Sequence, residues 1–96
     1  MTIESYLTDL ESNPRDVRFA HLVRICQEFF GNPRMRGSHH IFKMPWPGDP
    51  RINLQEDARN RGKAKPYQVK QVITALRKLQ EMQQGEGKGE ASHAAE

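Results

Sequence analysis

The apolar positions of this chain form helical stripes at either end and an alternating stretch in the middle. Ile3, Tyr6, Leu7 and Leu10 recur at three- and four-residue steps, which predicts a short helix over 3–11. Ser12-Asn13-Pro14-Arg15-Asp16 interrupts the pattern. Asn13 is suited to cap a helix, and Pro14 to its first position, where no N–H is needed. Asp16 would then lie near the positive end of the helix dipole. Phe19, Leu22, Val23, Cys26, Phe29 and Phe30 make the next stripe, widened by Val17, Ala20 and Ile25. A helix is expected over 14–30, stopped by Gly31-Asn32-Pro33.

The middle of the chain changes period. Ser38-His39-His40-Ile41-Phe42-Lys43-Met44 has β character, and 33–36 is a candidate edge strand before it. Pro45-Trp46-Pro47-Gly48-Asp49-Pro50 cannot be regular structure and reads as a hairpin connection. Arg51-Ile52-Asn53-Leu54-Gln55 alternates, so Arg51, Asn53 and Gln55 should share an exposed sheet face. Residues 56–65 are polar and basic, hence a surface loop. Val69, Val72, Ile73, Leu76 and Leu79 then predict an amphipathic helix over 66–82, with Lys70, Arg77 and Lys78 outside. Residues 84–96 lack any large apolar side chain and are expected to be disordered. The order is helix, helix, two or three strands, helix. An α+β two-layer sandwich satisfies it: an antiparallel sheet with two main helices on one face, plus a short N-terminal helix.

Composition narrows the class. Ninety-six residues make one domain at most. No apolar run approaches the roughly 18 residues a membrane helix needs, so no membrane role is expected. The first residues lack the basic-then-apolar pattern of a signal peptide. A single cysteine, Cys26, allows neither an internal disulfide nor a cysteine-based zinc cage, and its place in an apolar stripe makes it a core residue. The expected setting is the cytoplasm. Charge is uneven: residues 31–82 carry eleven Lys/Arg against four Asp/Glu, between mildly acidic ends. Such a field favours phosphate-rich partners or an acidic protein.

Gly37-Ser38-His39-His40 is the sharpest local feature. Strand alternation sends the two imidazoles to opposite faces, so they cannot converge on one metal, and no metal or other cofactor is expected. Either histidine could serve as a general acid/base, or be a merely structural strand residue; alternation alone does not choose between the two imidazoles. With Arg34, Arg36 and Lys43 around it, its substrate would be anionic. A phosphodiester bearing a 2′-OH fits, because the nucleophile is internal and the cations stabilise charge on phosphorus. Arg59-Asn60-Arg61-Gly62-Lys63-Ala64-Lys65-Pro66 runs into a helix start, and Lys63 and Lys65 there are either a phosphate-backbone clamp or a solubilising loop. Trp46 either stacks on a base or covers a core edge.

Taken in order, Gly37-Ser38-His39-His40-Ile41-Phe42, the helix before it, the hairpin after it and Gly62-Lys63-Ala64-Lys65-Pro66-Tyr67-Gln68-Val69-Lys70-Gln71-Val72 resemble the HicA family of toxin–antitoxin mRNA interferases. The resemblance covers about residues 15–82. It implies a double-stranded-RNA-binding-like fold over 14–83, with 1–13 an N-terminal extension and 84–96 a tail. It implies RNA cleavage without metal, with His39, directly after Gly-Ser, as the catalytic residue. Arg34, Arg36, Ser38, His40, Lys43, Lys63, Lys65 and Lys70 are the expected RNA-binding residues. It implies mRNA as substrate and a HicB-type antitoxin as protein partner. The N-terminal extension, the tail after Met82 and the proline-rich hairpin depart from the family pattern. The alternative is a non-catalytic RNA-binding module of the same fold, since fold alone does not separate binders from nucleases.

Overall fold

Local pattern and burial together produce six elements: α1 (Ile3–Ser12), α2 (Phe19–Phe30), β1 (Arg34–Arg36), β2 (His39–Phe42), β3 (Ile52–Leu54) and α3 (Pro66–Ala95). The structure is a computed structural model that describes residues 2–95, with side chains described for residues 2–84. The three strands form one antiparallel sheet in the order β1-β2-β3. Helices pack on one face of it, α2 against β2 and α3 against β3, to give an α+β two-layer sandwich.

Thr2 caps α1 by accepting from the Ser5 N–H. Its apolar side, Ile3, Tyr6, Leu7 and Leu10, is buried in the same core as the rest of the chain. A ten-residue helix is marginal alone, and packing is what stabilises it. Here α1 lies on α3 and reaches α2 as well. Tyr6 meets Phe29 edge to face at 5.7 Å, and its hydroxyl donates to Glu28 at 2.8 Å. Asp9 accepts from His21 of α2 at 3.0 Å, and Glu11 pairs with Arg77 of α3.

The second helix begins later than its sequence predicts. Asn13 ends α1 rather than capping α2, and α2 starts at Phe19. The reason lies in the 56–65 loop. The Ala64 N–H donates to the Val17 carbonyl at 2.8 Å, and the Phe19 N–H donates to the Gly62 carbonyl at 2.9 Å. Backbone groups that a longer helix would use are held by a bridge between Arg18 and Lys63. Val17 is buried from outside the helix, and Ala64 is buried opposite it. Lys63 pairs with Asp16 across the same junction.

Burial on β2 and β3 sets the sheet register. His40 pairs with Leu54 and Phe42 with Ile52, and Phe42, Ile52 and Leu54 all face the helices as core residues. Val69, Val72, Ala75 and Leu76 of α3 meet them in that core. The α3 helix continues past Met82, where the apolar repeat stops. The tail expected to be disordered over 84–96 lies, from residue 85 onward, outside the residues whose side chains are described. Among the described residues no helix is long and apolar enough to cross a membrane.

Two outcomes test this packing. Leu10 is fully buried, so Leu10→Ala should destabilise the whole domain by about 2–5 kcal/mol in chemical denaturation. A loss near zero would mean that α1 is not part of the core. The Asp16 carboxyl is held below its usual range by the Lys63 ammonium that donates to it and by that group's charge. A depressed carboxyl stabilises the fold above its unfolded pKa, and the contribution disappears as pH falls through the folded value. Wild type should therefore exceed Asp16→Asn in stability at neutral pH, and the difference should vanish in acid.

Candidate nucleic-acid interface

The tight turn between β1 and β2 starts the site. Gly37 takes φ +60°, and Ser38, like every other described non-glycine residue, avoids positive φ. Positive φ at the first central residue alone is the type II′ pattern, which favours glycine there. The turn aligns Arg36 opposite His39, Met35 opposite His40 and Arg34 opposite Ile41. Directly opposed residues project to the same face. The face away from the helices therefore carries Arg34, Arg36, His39, Ile41 and Asn53.

His39 is half-exposed on this open face. Its Nδ1 lies 3.0 Å from Asn53 Oδ1. An amide oxygen only accepts, so the contact requires Nδ1–H as donor and leaves the Nε2 lone pair free in the neutral ring. Such an imidazole is oriented for proton transfer at Nε2. A polar chain runs beside it. Gln55 Nε2 donates to Ser38 Oγ at 2.9 Å, and Lys65 Nζ donates to Gln55 Oε1 at 3.1 Å. The Gln55 backbone N–H donates to Gln68 Oε1 at 3.0 Å, which ties β3 to the first turn of α3. Lys65 is thereby brought to the sheet surface near Ser38 although it lies 27 positions later in the chain.

The expected site residues divide. Arg34, Arg36, Ser38, His39 and Lys65 come together on or at the edge of the open face, and Lys43 lies just beyond β2 on the same side by alternation. His40 turns the other way. It faces the helix layer, edge to face with Phe19 at 5.2 Å, and does not join the cluster. Lys63 is held by Asp16 at the loop junction. Lys70 lines a depression with Tyr67, Asp49 and Arg51 instead. Trp46 is buried, 8% exposed, edge to face with Phe30 at 5.9 Å and under Lys78, so it covers a core edge rather than offering a stacking face.

Asn53, Gln55 and Gln68 are the members that sequence reasoning did not assign. Alternation puts Asn53 and Gln55 on the open face, but only strand register tells which of them meets His39. Burial pushes the Cys26 thiol up to about 12, so it is inert as a nucleophile at neutral pH. Among the described residues no group of three or more His, Cys, Asp or Glu is placed to hold a metal ion.

The Asn53 contact has a signature independent of any activity. Neutral His39 should be the Nδ1–H tautomer in ¹⁵N-resolved imidazole spectra, and Asn53→Ala should return it to the Nε2–H-dominated mixture of a free ring. A wild-type ring already in that mixture would show that the contact does not form. Comparison of the chain with family models, with curated proteins and with solved structures finds no match.

Proposed function

We propose that this protein is a small metal-independent endoribonuclease that acts as the toxin of a HicA-type toxin–antitoxin pair in the cytoplasm, with His39 as general acid/base. One observation carries the reading: His39 is held at Nδ1 by Asn53, with Nε2 free, on a face carrying Arg34 and Arg36. In the proposed reaction Nε2 takes the proton of a ribose 2′-OH. The 2′-oxygen bonds to phosphorus, the bond from phosphorus to the 5′-oxygen breaks, and the imidazolium returns the proton to that oxygen. The products are a 2′,3′-cyclic phosphate and a 5′-hydroxyl. Arg36, opposite His39, supplies positive charge to the phosphorane-like transition state. Ser38 and Lys65 bind the RNA backbone beside it through the polar chain they share with Gln55.

The helix–strand–strand–strand–helix order of α2 to α3 is the order that the family resemblance implies. A HicB-type antitoxin would neutralise the protein by covering the open face, since one cover blocks His39 and its cations together. The second reading, an RNA-binding module without chemistry, uses the same basic face.

Purified protein in EDTA should cleave single-stranded RNA to cyclic-phosphate ends, and His39→Ala should lose about 10²–10⁴-fold of that rate. Cleavage by His39→Ala at the wild-type rate would overturn the assignment. Tight RNA binding with no cleavage by wild type would establish the binding module instead.

A further inference from the structure

Beside the His39–Asn53 pair the surface sinks into an open groove of about 400 Å³ between the 45–50 hairpin and strands β2 and β3. Ile41, Trp46 and Pro47 give it an apolar lining, and Lys43, Arg51 and Asn53 give it polar edges. Four observations bear on what it takes.

Lys43 and Arg51 both line the groove. Continuing the β2–β3 register one step past Phe42↔Ile52 puts Lys43 opposite Arg51. Like charges directly opposed across strands are unfavourable unless an anion lies between them. Both side chains are exposed, and neither has a salt-bridge partner among the described residues. Ile41 is an apolar side chain on an otherwise polar sheet face, and it lies on the groove side of His39. The wall is held in place. Trp46 Nε1 donates to the Pro50 carbonyl at 2.8 Å, and the ring packs on Phe30 and Lys78. Finally, Asn53 belongs to both places: it lines the groove and accepts from His39.

An apolar floor between two cations, beside an oriented imidazole, matches a nucleotide: a base on Ile41 and Pro47, a phosphate between Lys43 and Arg51. We infer that the groove is a nucleotide subsite, which seats the RNA residue adjoining the one whose phosphate lies at His39. This rests on the ribonuclease reading for its position relative to the scissile bond, but its binding is separable from catalysis. Past the hairpin, Arg51 also lines the depression shared with Tyr67, Lys70 and the acidic Asp49.

The test uses the full chain and a 2′-O-methyl oligoribonucleotide, which lacks the 2′-OH nucleophile and stays intact. In ¹⁵N–¹H spectra, titration should move the amides of Ile41, Lys43, Gly48 and Asn53. The Lys43→Gln/Arg51→Gln variant, changed only at exposed positions, should bind more weakly. Its log-affinity against log-salt slope should be smaller by about 0.7, the contribution of the one phosphate that the two cations share on a single strand. Perturbations that bypass the groove, or an unchanged slope in the double variant, would overturn the inference. So would an acidic peptide that moves the same amides where the oligonucleotide does not. Groove shifts in a wild type that fails to cleave unmodified RNA would sink the nuclease reading and leave the subsite standing. Cleavage with the groove amides unmoved would sink the subsite alone.

Discussion

Everything at the candidate site depends on the register of a small three-stranded sheet. Phe42, Ile52 and Leu54 are buried against the helices, and side chains on a strand alternate with period two. Burying Phe42 therefore sends His40 inward and His39 outward. A slip of one residue would exchange them, and would also expose Phe42. The slip costs the burial of a large aromatic, on the order of 1.5–3 kcal/mol before any cavity term. The orientation of His39 is thus enforced by a residue three positions away that has no part in its chemistry.

The 56–65 loop is the second constraint, and it serves both layers. Its end pairs with the chain before α2, where the Val17 and Gly62 carbonyls and the Phe19 and Ala64 amides satisfy one another. Glu56 bridges to Ala64 and its carboxylate accepts from the Gly62 amide, so the loop closes on itself. Asp57 accepts from the Arg59 amide at 2.9 Å, and this hydrogen bond holds its carboxyl below the usual range. A loop fixed in this way delivers Lys65 to Gln55 at a set distance. It also divides its cations. Lys63 faces Asp16 and fastens the loop, whereas Lys65 faces the sheet and joins the polar chain.

On the open face, fixed hydrogen bonds and unpaired charge lie side by side. Asn53, Gln55 and Ser38 orient their neighbours through neutral hydrogen bonds, and Arg34, Arg36, Lys43 and Arg51 remain exposed as cations. Elsewhere Arg77 of α3 pairs with Glu11, His21 of α2 lies against Asp9, and Lys63 of the loop pairs with Asp16. The four open-face cations have no ion-pair partner among the described residues, which is the condition for attracting a polyanion.

Much of the architecture was legible in the residues themselves. The three helices, strands β2 and β3 and their order follow from apolar period, because burial of a stripe or an alternate row is written directly in spacing, whereas β1, exposed throughout, was only a candidate edge strand. The exposure of Arg51 and Asn53 follows from the same period, while Gln55 is half-buried. The late start of α2 was not legible: Asn13-Pro14 is a sound local helix signal, but the amides and carbonyls at 17–19 are claimed by residues more than forty positions away. Nor was the packing of α1, whose short stripe specifies a face but not the surface it covers. The cluster at the site was half legible. Gly37-Ser38-His39-His40 marks itself, whereas the choice of His39 over His40 for the open face, its Asn53 partner and the link from Ser38 through Gln55 to Lys65 all require strand register and the closed loop. Spacing along the chain determined which side chains can be buried together. Only the tertiary structure decided which polar side chains those buried ones bring within hydrogen-bonding distance, because that distance is set by packing between segments remote in sequence.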